Sequence, residues 1–273
     1  MEELGLSERQ LTARFLRRAS PTTAHTRLFC FPFAGGSAAA FVPWADELKS
    51  AGIDVWSAQP RGRGMRLNEP LHRSVKEMAD DYMEVIRRRQ DLPFAFYGHS
   101  LGGLLAFELT LQLEAEGLVP PTHLFMGATA PPVLGLIHPR IAHLPDDGFM
   151  VAVRERYSGI PDAVLREPEL LKLFLPGLRA DFAAHENFDR SPVRQVHCPI
   201  TALAGSDDTL IDAARMQEWG RHTTAEFDLR ILAGDHFFLS ISRDSVLSTV
   251  REKMLNTPAA APAFLMRSGF AES

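Results

Sequence analysis

The 273-residue chain has only two cysteines, and no clustered histidines stand beside them. That is too little for a disulfide framework or a zinc site. Cys30 and Cys198 fall instead in apparent strands, within LFCFPF and HCPITAL, where a free thiol packs as a small hydrophobe. No run of about 18 or more apolar residues occurs, so no hydrophobic membrane-spanning helix is expected. Positive charge is not in excess either. The formal net charge of −5 gives no general attraction to nucleic acid or anionic lipid. The first twenty residues, MEELGLSERQLTARFLRRAS, interleave charges and lack an apolar stretch behind a basic start, so no secretory signal is expected and a cytoplasmic location follows by default. Solenoid-spaced repeats are absent, and low complexity is confined to TPAAAPAF near the C-terminus.

What the chain does have is a composition of 45% hydrophobic and 23% charged residues, ordinary for a globular α/β domain. Short β-branched and aromatic runs alternate with longer helical patterns, the signature of βαβ units around a mainly parallel sheet. TRLFCF, IDVWSA, FAFYG, THLFMGA, ITALAG and FDLRIL are the expected strands. A helix is predicted over 75–90, with Val75, Ala79, Tyr82 and Ile86 on one face and an arginine run at its C-terminal end. From about 131 to 192 the alternation stops and helical patterns take over, which reads as a helical lid inserted above the sheet. The expected organisation is an N-terminal extension (1–24), one domain (25–256) carrying that insertion, and a C-terminal tail (257–273).

The chemistry concentrates after the strands. FAFYG runs into His99-Ser100-Leu101-Gly102 and then an apolar helical segment, so Gly98-His99-Ser100-Leu101-Gly102 has the strand, tight turn and helix setting of a nucleophile elbow. This places the chain in the α/β-hydrolase fold class, a mainly parallel central sheet flanked by helices. A serine hydroxyl needs a base, and the base needs an orienting carboxylate; this fold supplies them later in the chain, acid before histidine. ITALAG leads into Ser206-Asp207-Asp208, and FDLRIL leads through a glycine turn to His236. His236 is the expected base. Either aspartate is chemically able to orient it, and the Gly205-x-x-Asp208 spacing favours Asp208. His99 is expected to pack beneath the turn. Acyl transfer also needs two oxyanion donors. The N–H of Leu101 is one, and the small-residue loop Pro32-Phe33-Ala34-Gly35-Gly36-Ser37 offers the other from Ala34 or Phe33.

With these residues in place, the chain resembles the type II thioesterases that accompany modular polyketide and nonribosomal peptide synthases, and the related medium-chain fatty acid synthase thioesterase. The resemblance rests on Phe31 to Gly36, Gly62-Arg63 within SAQPRGRGMRLNEP, FAFYGHSLGG, LPGLRADF, Cys198-Pro199-Ile200 before LAGSDD, and GDHFFL around His236. It covers about Arg27 to Leu255. Two departures are visible: Arg61 replaces the family's usual proline, and Phe33 stands where an aromatic or histidine is common. The resemblance implies Ser100 as nucleophile, Asp208 as acid, His236 as base, and the Ala34 and Leu101 N–H groups as oxyanion donors. It further implies a lid over an acyl channel, no metal or organic cofactor of the enzyme's own, and acyl or peptidyl carrier protein domains as partners. Neither nucleic acid nor membrane is expected as a partner, and a monomer is expected. An acidic carrier would call for a docking surface with local positive charge; Arg61, Arg63 and Arg66, after a strand near the sheet's active end, are candidates for it, against the ordinary reading that loop arginines are simply solvated. Phe149, Met150, Tyr157, Leu171, Phe174, Leu178 and Phe182 are the lid residues expected to set the channel volume.

Overall fold

The computed structural model describes residues 7–157, 167–190 and 193–256. Its centre is a seven-stranded sheet in the order β1-β3-β2-β4-β5-β6-β7. The strands are β1 (Phe15–Leu16), β2 (Thr26–Phe31), β3 (Ile53–Ala58), β4 (Phe94–His99), β5 (Leu124–Gly127), β6 (Ile200–Gly205) and β7 (Phe227–Leu232). All neighbours pair in parallel except β1, which runs antiparallel to β3. Every residue of β2 to β6 is buried, as expected of strands covered on both faces. Edge strand β7 is mostly half-buried.

The described α-helices are α1 (Glu8–Arg14), α2 (Val42–Leu48), α3 (Val75–Arg87), α4 (Leu101–Ala115), α5 (Asp146–Arg156), α6 (Pro168–Glu186), α7 (Ala213–Gln217) and α8 (Arg243–Asn256), with short 3-10 turns between some of them. The segment read from sequence as an extension holds α1 and β1. Leu11 and Phe15 from it are buried, and Phe15 packs edge-on against Phe29, Phe31 and Trp56. Helix α3 begins at Val75 as predicted, with Ser74 capping Glu77 N–H, and ends at Arg87. Its arginine run is tied down: Arg87 to Glu116, Arg88 to Glu84 and Arg89 to Glu8. Between β5 and β6 lie α5 and α6 and no strand among the described residues. Phe149 and Val153 of α5, Leu178 and Phe182 of α6, and Ile141 from the loop before α5 form a separate cluster. No described helix is long and apolar enough to cross a membrane.

The strand order fixes where chemistry belongs. The chain winds outward from β2 to β3 and then returns to β4, so a crevice opens between the carboxyl ends of β2 and β4. The loop Pro32 to Ser37 leaves β2 there, and Ser100 leaves β4.

Candidate active site

Ser100 sits between β4 and α4 with φ 54 and ψ −116, a left-handed conformation that a residue with a side chain holds only when its surroundings impose it. Backbone contacts impose it here. Ser100 N–H donates to Gly127 C=O at 2.8 Å, and Thr129 Oγ1 lies 3.0 Å from Ser100 C=O. The flanking glycines are needed for close approach. A Cβ on Gly98 would lie 2.2 Å from Gly102 O, and one on Gly102 would lie 2.1 Å from Phe31 O. The elbow therefore holds the hydroxyl up at the crevice.

His236 follows β7 and Asp208 follows β6. Ser100 Oγ is 3.2 Å from His236 Nε2, and His236 Nδ1 is 2.9 Å from Asp208 Oδ2. Because a carboxylate only accepts, Nδ1–H donates to Asp208, leaving the Nε2 lone pair to accept from the serine. The other carboxylate oxygen of Asp208 accepts from Leu210 N–H at 2.9 Å and Ile211 N–H at 3.0 Å. Burial alone would raise this carboxyl, but the hydrogen bond and charge of His236 and the two N–H donors outweigh it and hold it below its ordinary value. Asp207, the alternative left open by chemistry, is exposed. Its N–H donates to Gly234 C=O at 2.9 Å.

His99 lies fully buried under the elbow. Its Nε2–H donates to His236 C=O at 2.7 Å, and its ring packs among Phe33, His236, Phe237 and Phe238. Burial pushes its pKa down to about 3, and that of buried His123, which contacts Thr201 Oγ1, down to about 4. Both folded values lie below the unfolded value of about 6.5. The unfolded state therefore binds protons that the folded state refuses, and stability falls as pH drops through 6.5 toward 4. Urea unfolding is expected to lose about 2 kcal/mol per histidine between pH 7 and 5. An unchanged midpoint across that interval would exclude buried neutral imidazoles.

The loop after β2 turns tightly, with Gly36 N–H donating to Phe33 C=O at 2.8 Å and Gly35 at φ +80. Neither Ala34 N–H nor Leu101 N–H has a partner among the described residues. Sequence reasoning missed what steadies this loop. Asp181, on lid helix α6, accepts from Gly35 N–H at 2.7 Å and pairs with Arg63. Leu178 and Phe174 press on Gly35 so closely that a Cβ there would lie 2.8 Å from Leu178. LPGLRADF contained the residue, but a single acid on a helix carries no sign of a partner so distant in sequence.

The loop, Ser100, His236 and the lid enclose a mainly apolar cavity of about 290 Å³. Tyr157, Phe174, Leu178 and Phe182 line it as predicted, joined by Val153 and His185. Phe149 is buried in the lid's own cluster, Met150 packs against that cluster, and Leu171 does not line the cavity.

The three arginines that were candidates for a docking surface are neither free for docking nor simply solvated. Arg66 is fully buried against Asp81 and Glu69, Arg61 pairs with Asp81 and Glu69, and Arg63 is buried on Asp181. Burial would raise the Asp81 carboxyl, yet neighbouring His72 and the charges of Arg66, Arg61 and Arg14 hold it well below its usual range. These side chains brace the loop after β3 and do not present free charge.

A parallel sheet with a serine on a strained strand-to-helix elbow, an imidazole and a carboxylate on later loops, and a helical lid defines a serine hydrolase of the α/β-hydrolase fold. Family comparison narrows that class: the thioesterase domain family matches residues 26–254. The chain is 35% identical over 251 residues to thioesterase PikA5 of Streptomyces venezuelae, covering 91% of this chain and 88% of that one. It is 33% identical over 234 residues to gramicidin S biosynthesis protein GrsT of Aneurinibacillus migulanus, covering 86% and 91%. The structure of the type II thioesterase BorB from the borrelidin biosynthetic cluster superposes with a TM-score of 0.77 at 31% identity, covering 89% of this chain and 97% of BorB. The chain belongs to the thioesterase family.

Proposed function

We propose that this thioesterase clears or releases acyl groups from the phosphopantetheine thiol of carrier protein domains in polyketide or nonribosomal peptide synthesis, acting as a monomer, with Ser100, His236 and Asp208 performing the chemistry. The observation that carries the proposal is the run of contacts from Ser100 Oγ to His236 Nε2 and from His236 Nδ1 to Asp208, opening onto a lidded apolar cavity. Ser100 Oγ attacks the thioester carbonyl while His236 takes its proton. The N–H groups of Ala34 and Leu101 receive the developing oxyanion. The tetrahedral intermediate collapses, expelling the thiol, which leaves with the proton from His236. Water then attacks the acyl-serine by the same route, with His236 as base and then acid, and frees the carboxylic acid. The apolar cavity takes the acyl chain, and the similarity to a gramicidin S biosynthesis protein and to a type II thioesterase of the borrelidin biosynthetic cluster supports a carrier-bound thioester as substrate.

The test is turnover of an acyl carrier thioester against a matched oxygen ester. The thioester is expected to react with at least about tenfold higher kcat/KM; a preference for the free ester would reassign the site to a carboxylesterase.

A further inference from the structure

Ser100 borders a second compartment. It shares Ser100, His236, Tyr157, Phe182 and His185 with the apolar cavity but extends the other way, with a volume of about 40 Å³. At roughly 10–15 Å³ of such space per water-sized position, it accommodates a few atoms and not a chain. Its polar lining is dominated by nitrogen: His138, Arg156, His185 and Arg190. Among the described lining residues Glu186 is the one acid, and its carboxylate accepts from Ile141 and Ala142 N–H at 2.7 and 3.1 Å.

Among the described residues, the two arginines here have no acidic partner. Arg190 donates to the carbonyls of Phe188 and His185 at 3.0 and 2.8 Å and sits over the Phe188 ring. Arg156 donates to Pro139 C=O at 2.9 Å. Neither forms an ion pair among the described residues, whereas Arg14, Arg27, Arg61, Arg63 and Arg66 all do. Burial, together with nearby Arg140, pushes the Arg190 pKa down to about 10. His138 Nε2 is buried with no hydrogen-bond partner. Half-buried, unpaired charge is costly unless a ligand offsets it.

We infer that this compartment binds an oxyanion carried by the substrate, with Arg190 and Arg156 as its charged contacts and His138 as a further donor. The inference rests on the thioesterase reading of Ser100. The anion is a terminal carboxylate on a short acyl group, because the phosphate of the pantetheine arm lies about a dozen bonds from the thioester sulfur and a compartment of a few atoms beside Ser100 does not hold that chain. Butyryl-pantetheine and succinyl-pantetheine test it, with butyryl-phosphopantetheine as the control for the phosphate. Hydrogen bonds to charged groups correspond to tenfold effects or more. The wild-type enzyme is therefore expected to prefer the succinyl over the butyryl thioester by about tenfold in kcat/KM, with no such gain from the phosphate. Arg190→Gln and, independently, Arg156→Gln are expected to bring that ratio toward one. No preference for the succinyl thioester, a preference for the phosphate alone, or a ratio unchanged in both variants overturns the inference alone. Turnover of none by the wild-type enzyme overturns the thioesterase reading itself.

Discussion

Replacing Ser100 with alanine is expected to lower kcat by about 10⁵ to 10⁶-fold while leaving the fold and carrier binding in place. The size follows from the unit nature of the site: without a nucleophile, His236 and Asp208 have nothing to activate, and losing the serine alone costs about as much as losing all three. The fold is expected to survive because the backbone, not the hydroxyl, sets the elbow. Ser100 N–H still reaches Gly127 C=O, and the contacts that exclude side chains at Gly98 and Gly102 are unchanged. Intact-mass measurement after mixing with an acyl thioester gives a direct readout. The wild-type chain should gain the acyl mass transiently, and the alanine variant should not. Acylation of the variant, or hydrolysis within about tenfold of wild type, would move the nucleophile elsewhere.

Much of the fold was legible because strands rich in β-branched and aromatic residues, most of them buried on both faces, leave a plain trace. TRLFCF, IDVWSA, ITALAG and FDLRIL coincide with β2, β3, β6 and β7 residue for residue. Strand β1 was not legible, since two residues, Phe15 and Leu16, carry no period; their role as an edge depends on β3 being there to pair with. The site was legible as far as local sequence determines it. A glycine-flanked serine, an acid after one late strand and a histidine after the next must converge once the strands lie parallel. What sequence could not express was pairing between distant elements. Arg61, Arg63 and Arg66 read as solvent-facing because a loop after a strand usually is, yet Asp81 on α3 and Asp181 on α6 take up all three. Periodicity identified the apolar face of α3 but not that Asp81 would be buried with it. Arg156 and Arg190, which form no ion pair among the described residues, lie instead in the lid region, outside LPGLRADF, where the sequence offered only helical patterns.

The adjacent acids give the second large effect. Asp208→Asn is expected to lower kcat by about 10³ to 10⁴-fold, whereas Asp207→Asn should leave it within about twofold. Asp208 is 5% exposed and divides its oxygens between His236 Nδ1 and two loop N–H groups; Asp207 is exposed to solvent. Asparagine at 208 can still accept from Leu210 and Ile211 through its carbonyl oxygen. Its amide then turns N–H toward His236, which favours the imidazole tautomer with the proton on Nε2, and that nitrogen can no longer take the proton of Ser100. Loss of charge also removes the counter-charge for the imidazolium that forms during attack. Both consequences fall on the transition state, so kcat should drop with KM nearly unchanged. Acylation rates measured by rapid mixing at saturating thioester would report the difference. Equal losses in the two variants, or a larger loss at 207, would contradict the orientation of His236 by Asp208.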